Sequence, residues 1–166
     1  MTEHPPADHP LAEHPLAETL HAGCVVVGEA GILIRGAAGA GKSSLGRDIV
    51  LQARRRHLFA LLVSDDRTLI ANRHGRLVAS PPAAIAGRVE VRGTGIIRQP
   101  FEPAAVLRLV IDLSADPPDR YPEESDRVAG LCGVMLPRLR AQIGAPLADI
   151  VLERLSADGC DPVVTL

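Results

Sequence analysis

The octapeptide Gly36-Ala37-Ala38-Gly39-Ala40-Gly41-Lys42-Ser43 has the form G-x-x-x-x-G-K-S, and no other segment constrains the fold as much. Its glycines let the backbone curl until successive N–H groups converge, and a following helix adds the positive end of its dipole. Together these make a phosphate cradle, which works only between a buried strand and a helix. The flanks supply both. Gly31-Ile32-Leu33-Ile34-Arg35 reads as a short buried strand. Ser44 to Arg56 reads as a helix with a modest apolar stripe of Leu45, Ile49 and Leu51 or Gln52, and with Arg54, Arg55 and Arg56 where cations suit the macrodipole. The expected class is α/β. In this setting Gly36, Ala37, Ala38, Gly39, Ala40 and Gly41 wrap the phosphates of a nucleoside triphosphate, Lys42 reaches the β- and γ-phosphates, and Ser43 puts its hydroxyl on a bridging magnesium ion.

Composition narrows the alternatives. At 166 residues the chain is one domain's worth, long enough to bury roughly two-thirds of its unfolded surface. A net charge of −2 gives no basic field, so nucleic acid is not an expected partner. Cys24, Cys132 and Cys160 are odd in number and widely spaced, which fits reduced thiols and neither a disulfide framework nor a zinc site. No signal pattern and no membrane-length apolar run is present, so the expectation is a cytoplasmic protein without a membrane partner. Aromatic residues are only 2% and Trp is absent, so the core must be aliphatic and stacking of a base on rings is disfavoured.

Residues 1–19 hold a repeat, His9-Pro10-Leu11-Ala12-Glu13 followed by His14-Pro15-Leu16-Ala17-Glu18, with His4-Pro5 ahead of it. His-Pro pairs oppose continuous helix, and this segment is expected to be a disordered tail rather than a metal site. Cys24 to Val27 and Leu58 to Val63 are strand candidates. Thr68 to Asn72 and Arg76 to Ala79 flank a hairpin turn at His74-Gly75. Ala105 to Leu113 is another buried strand, Ser114 to Arg127 an exposed loop, and Pro146 to Leu155 a closing amphipathic helix.

The apolar run Leu58 to Val63 ends at Ser64-Asp65-Asp66, an acidic strand end downstream of a phosphate loop. That is where carboxylates meet metal and acceptor hydroxyl. Adjacent carboxylates on an extended segment point apart, so one can face the chemistry and the other a basic partner. The block Glu90-Val91-Arg92-Gly93-Thr94-Gly95-Ile96-Ile97 places Glu90 and Arg92 on one face of a strand before a glycine turn.

His21, the phosphate loop, Ser64-Asp65-Asp66-Arg67 and the block Glu90 to Ile97 together resemble the catalytic domain of bacterial HPr kinase/phosphorylase, whose own signature reads E-x-R-G-x-G-I-I. The fifteen-residue step from His21 to Gly36 matches too, and the likeness runs from about Leu20 to Pro137. It resembles the short form that lacks an N-terminal domain, with residues 20–166 as the catalytic domain. The resemblance implies a mixed sheet with flanking helices, similar to phosphoenolpyruvate carboxykinase. It also implies ATP and Mg2+ as cofactors, a serine of the HPr phosphocarrier as acceptor, a reverse phosphorolysis by inorganic phosphate, and a homo-hexamer. Residue by residue, it implies that Lys42 binds phosphates, that Ser43 and Glu90 hold magnesium, and that Asp65, with Asp66 as its alternative, is general base. His21 would stand beside the phosphates, Arg92 would belong to the segment serving both directions, and Arg120 resembles a mobile-loop arginine.

This chain departs from the family pattern in three places. The stretch from Lys42 to Asp65 is several residues longer, and Ser44 stands where Glu is common. The family's basic C-terminal motif aligns with Arg140-Ala141-Gln142-Ile143-Gly144-Ala145-Pro146, which keeps the glycine without its flanking arginines. Two other functions share these residues. One is a small-molecule kinase, and the other is a nucleotide-responsive module that docks on a partner such as a sensor kinase.

Overall fold

The computed structural model describes residues 17–91 and 93–157. The chain order is β1 (Ala17–Leu20), β2 (Ala22–Val27), β3 (Ala30–Gly36), α1 (Lys42–Arg55), β4 (Ala60–Ser64), β5 (Thr68–Arg73), β6 (Arg76–Ser80), β7 (Arg88–Val91), β8 (Gly95–Arg98), β9 (Ala105–Ser114), β10 (Val128–Leu131), β11 (Val134–Gln142) and α2 (Ala148–Ala157). Nine strands form one sheet in the order β1-β5-β6-β9-β3-β2-β4, with β11 on the β9 edge that β6 also uses and β10 beyond it. β7 and β8 form a separate two-stranded ribbon.

β3, β9 and β11 run parallel, so their C-terminal ends gather at one edge, where the chain leaves β3 into the phosphate loop. The other strand pairs in the sheet are antiparallel, which makes it mixed. β2 is buried along its whole length and therefore reads as a continuous apolar run. Its Val25 and Val27 join Ile32, Ile34, Ile111 and the helix residues Ile49, Val151 and Leu155 in one apolar layer. Its Cys24 and Val26 point the other way, into a second layer with Leu33, Ile70, Leu77, Val110 and Leu136. Burial pushes the Cys24 thiol well above its ordinary range, because a thiolate there would have no water.

α1 settles close to the sheet because it is thin where it meets it. A Cβ on Gly46 would stand 3.2 Å from Val25 Cγ1, and Ala53 completes the buried stripe. Leu51, counted from sequence toward that stripe, instead faces out and is 49% exposed. α1 lies beside α2, and Arg56 donates to Asp149 across them at 2.7 Å.

The expected disordered tail over residues 1–19 is corrected at its C-terminal end. Ala17, Glu18 and Thr19 form β1, in register with Ala71, Ile70 and Leu69. A strand whose side chains are exposed is held by its neighbour's backbone, which residue type does not reveal. His4, His9, His14 and Cys160 lie outside the described residues. Among the described residues, no helix is long and apolar enough to cross a membrane.

Candidate active site

The turn from β3 into α1 is held at its base by close packing, since a Cβ on Gly36 would sit 3.0 Å from the Leu113 carbonyl oxygen on β9. Gly39 and Gly41 have φ of 78° and 88°, the left-handed region that favours glycine, while a Cβ on either would meet nothing within 4 Å. These two glycines are therefore required by backbone conformation, and the surface above them is open. Lys42 is only 7% exposed, and its Nζ donates to the carbonyl oxygens of Gly36 and Ala37, both at 3.0 Å. An ammonium has three protons, so one remains for a ligand over the loop.

The end of β4 forms the facing wall. Ser43 Oγ donates to Asp65 Oδ1 at 2.7 Å, which leaves the hydroxyl's lone pairs free to accept a cation. Asp66 has φ of 65°, a turn conformation that Asp tolerates, and its carboxylate swings away from its neighbour's. There Asp66 Oδ1 and His21 Nε2 share a 2.7 Å hydrogen bond. The two carboxylates thus take different partners, parted by the turn at Asp66 and not by the extended-strand alternation expected from sequence. A buried pair of hydroxyls fixes this wall: Ser64 Oγ and Thr68 Oγ1 lie 2.6 Å apart, and Thr68 Oγ1 donates to the Ala22 carbonyl at 2.8 Å. That ties the Asp65-Asp66 turn to the residue following His21. Thr68 went unread in the sequence, although its four-residue spacing from Ser64 across an acidic turn is a usable signal.

The ribbon closes a third side. Glu90 on β7 is exposed and lines the cleft, and its side chain makes no hydrogen bond with any described residue. The resulting cleft, of about 490 Å3, brings together His21, Gly39, Gly41, Lys42, Ser43, Asp65, Asp66 and Glu90. Arg47 lines it as well, one helical turn beyond Ser43, donating its Nε to the Ser43 carbonyl at 3.3 Å. Sequence reading missed Arg47, yet its i+4 spacing from Ser43 places it on the same helix face. Arg92 lies outside the described residues.

Arg120 is not brought to the cleft. It is exposed, with its guanidinium 5.7 Å from the Tyr121 ring centroid. The arginines of β11 are held elsewhere, in an ionic network at the β9 edge. Arg35 grips Asp112 with two bonds of 2.6 and 2.7 Å, Arg138 reaches Asp112 and Asp126, and Arg140 reaches Asp126 at 3.0 Å.

Nucleotide and magnesium fit these residues. Open glycines and one spare ammonium proton suit phosphate. Among the described residues no group of three His, Cys, Asp or Glu side chains is placed to hold a metal by itself. A magnesium ion needs no such cage: one hydroxyl and one or two carboxylates suffice when phosphates and water complete its shell. Ser43 and Glu90, which line the same cleft, would supply such a hydroxyl and carboxylate.

The comparisons with known proteins converge on one family. The HPr kinase/phosphorylase of Clostridium tetani is 40% identical over 81 residues, which are 49% of this chain and 25% of the relative. That of Lactococcus lactis is 36% identical over 80 residues, 48% of this chain and 24% of the relative. The chain thus spans about a quarter of the length of the curated relatives it matches. The solved structure of the Hpr(Ser) kinase/phosphatase from Coxiella burnetii superposes with a TM-score of 0.67 at 26% identity, covering 87% of this chain and 94% of that one. Residues 13–129 match the model of the HPr Serine kinase C-terminal domain, and this span contains the cleft residues His21 to Glu90, so the chain belongs to that family.

Proposed function

We propose that this chain transfers the γ-phosphoryl group of ATP to a serine of an HPr-type phosphocarrier protein. The observation that carries the reading is the convergence of Lys42, the Ser43–Asp65 pair and Glu90 on one cleft, in a chain of this family. Phosphoryl transfer asks a protein for positioning and charge more than for covalent chemistry. The loop glycines and Lys42 hold the β- and γ-phosphates. Ser43 and Glu90 would hold a magnesium ion, which would supply positive charge to the same phosphates.

Asp65 takes the proton of the acceptor hydroxyl through its second carboxylate oxygen, since Oδ1 is engaged by Ser43. The serine oxygen then bonds to the γ-phosphorus as the bond to the β-phosphate oxygen breaks, and ADP leaves with the electron pair. His21, held by Asp66, stands at the phosphate end of the cleft as a second polar contact. The protein works in the cytoplasm with its carrier and, by family resemblance, as a homo-hexamer.

The test is incubation with γ-labelled ATP, Mg2+ and purified HPr, beside an HPr whose acceptor serine is alanine. Label on serine, lost in the alanine control, supports the reading. Label on a metabolite alone would make the chain a small-molecule kinase, and carrier binding without transfer would make it a regulatory module.

A further inference from the structure

Among the described residues, two permanent cations line the cleft, Lys42 and Arg47, against the carboxylates of Asp65, Asp66 and Glu90. A polyanion entering such a cleft depends on the fixed positive charge it meets there. Lys42 belongs to the loop itself. Arg47 has no part in the chemistry described above.

Its surroundings hold Arg47 ready. Ser43, Ser44 and Arg47 fall within about 100° of one another around α1, so they share the face that borders the cleft. Long side chains on a helix lean toward its N-terminus, which brings the guanidinium back to the first turn. The 3.3 Å bond from Arg47 Nε to the Ser43 carbonyl fixes it there. The side chain makes no other hydrogen bond among the described residues and has no carboxylate of theirs in ion-pair range. With Nε tethered, the exposed outer edge of the guanidinium is a planar fork of N–H donors, which suits phosphate oxygens.

Without Arg47 the three phosphates of a nucleotide are served unequally. Lys42 and a magnesium ion on Ser43 and Glu90 would both act on the β- and γ-phosphates. The α-phosphate is left without a cation. α1 is the wall that continues from the phosphate loop, and Arg47 is the cation that this wall adds to the cleft. Resting on the kinase reading above, we infer that Arg47 binds the α-phosphate of the nucleotide through the outer edge of its guanidinium. It holds the part of ATP that leaves as ADP and takes no part in the bond that breaks.

Arg47→Gln removes the charge and keeps a polar side chain, while Arg47→Lys keeps the charge without the fork. Calorimetry of the full chain with ATP and with ADP, each with magnesium, is expected to show both bound about tenfold or more weakly in Arg47→Gln. Arg47→Lys should fall between that variant and the parent. Pyrophosphate, long enough only for the β and γ positions, should keep its affinity within about twofold in competition with labelled ATP. ATP and ADP bound as in the parent would overturn the proposal. So would ATP weakened with ADP unchanged, which would put Arg47 on the γ-phosphate, or pyrophosphate weakened equally, which would mean that the bond to Ser43 shapes the loop. If Arg47→Gln loses both nucleotides but the parent puts no label on HPr serine, the α-phosphate contact stands and the kinase reading falls. If the parent labels HPr and Arg47→Gln binds both nucleotides unchanged, the kinase reading stands and the contact falls.

Discussion

Two charged regions sit at the same edge of the sheet and are built in opposite ways. At the phosphate loop the polar groups are left underused: Lys42 has a spare proton, Asp65 a spare oxygen, and Glu90 no partner among the described residues. Along β3, β9 and β11 the charges consume one another, with Arg35, Arg138 and Arg140 divided between Asp112 and Asp126. The first arrangement costs stability unless a ligand arrives, and the second holds strands and loop together without one. The contrast locates function better than charge density does, because the richer cluster of ion pairs is the scaffold.

The largest effect is expected from the most underused cation. Lys42→Ala should lower transfer to HPr by about 10³-fold or more, as loss of a preorganised charge at the reacting group does. Its melting temperature should change little, since Lys42 bonds only two carbonyls that an ordered water can satisfy. Single-turnover transfer and a thermal melt on one preparation give both numbers. Near-normal turnover would move the loop to the scaffold side of the comparison.

Glu90→Gln comes next. An amide is a much poorer ligand for a hard cation, so the magnesium concentration for half-maximal rate should rise and the rate at saturation fall about 10²-fold. A magnesium titration that overlays the parent's would show that Glu90 serves the ribbon and not the ion.

A third measurement asks whether the saturated region can be recruited. Phosphorolysis needs an incoming phosphate dianion held by fixed positive charge next to another phosphoryl group. The arginines near Gly144 are already spent on Asp112 and Asp126, and Arg120 stands outside the cleft. Pyrophosphate release from serine-phosphorylated HPr should therefore run at least about tenfold slower than the forward reaction at matched substrate saturation. Equal rates would show that Arg120 or Arg92 closes on the site, and would blur the line between the two regions.

The two regions also differ in how far the sequence betrays them. The cleft was legible because local rules write much of it, a glycine pattern and an apolar strand ending in Asp65-Asp66, while His21 and Glu90 were picked out through the family resemblance. The scaffold was not, because it is built from pairings between distant elements. Arg35 and Asp112 are neighbours only once β3 and β9 align in parallel. β11 hides behind Pro137 and three exposed or half-exposed residues around Arg138, and it changes partner at that point, from β10 before it to β9 after it. β1 has no apolar face to announce it. Arg120 stands between the two, since matching a motif position identifies a loop residue without bringing its side chain into the cleft in this structure.

The smallest effect on turnover is expected where the charge network is cut. Asp112→Asn keeps the shape of the side chain and removes the charge that Arg35 grips and Arg138 approaches. Asp112 is 26% exposed, so water screens part of the loss, and the cost should be about 1–2 kcal/mol rather than the 3–5 of a fully buried pair. For a domain of this size that is a fall in melting temperature of about 2–8 °C. Transfer below the new melting transition should stay within about threefold of the parent, because Gly36 is held against β9 by backbone packing as well as by the ion pair. A melt and a single-turnover rate decide the matter together. Lost turnover in a folded protein would mean that the Arg35–Asp112 grip positions the phosphate loop, and the scaffold would then have to be counted as part of the site.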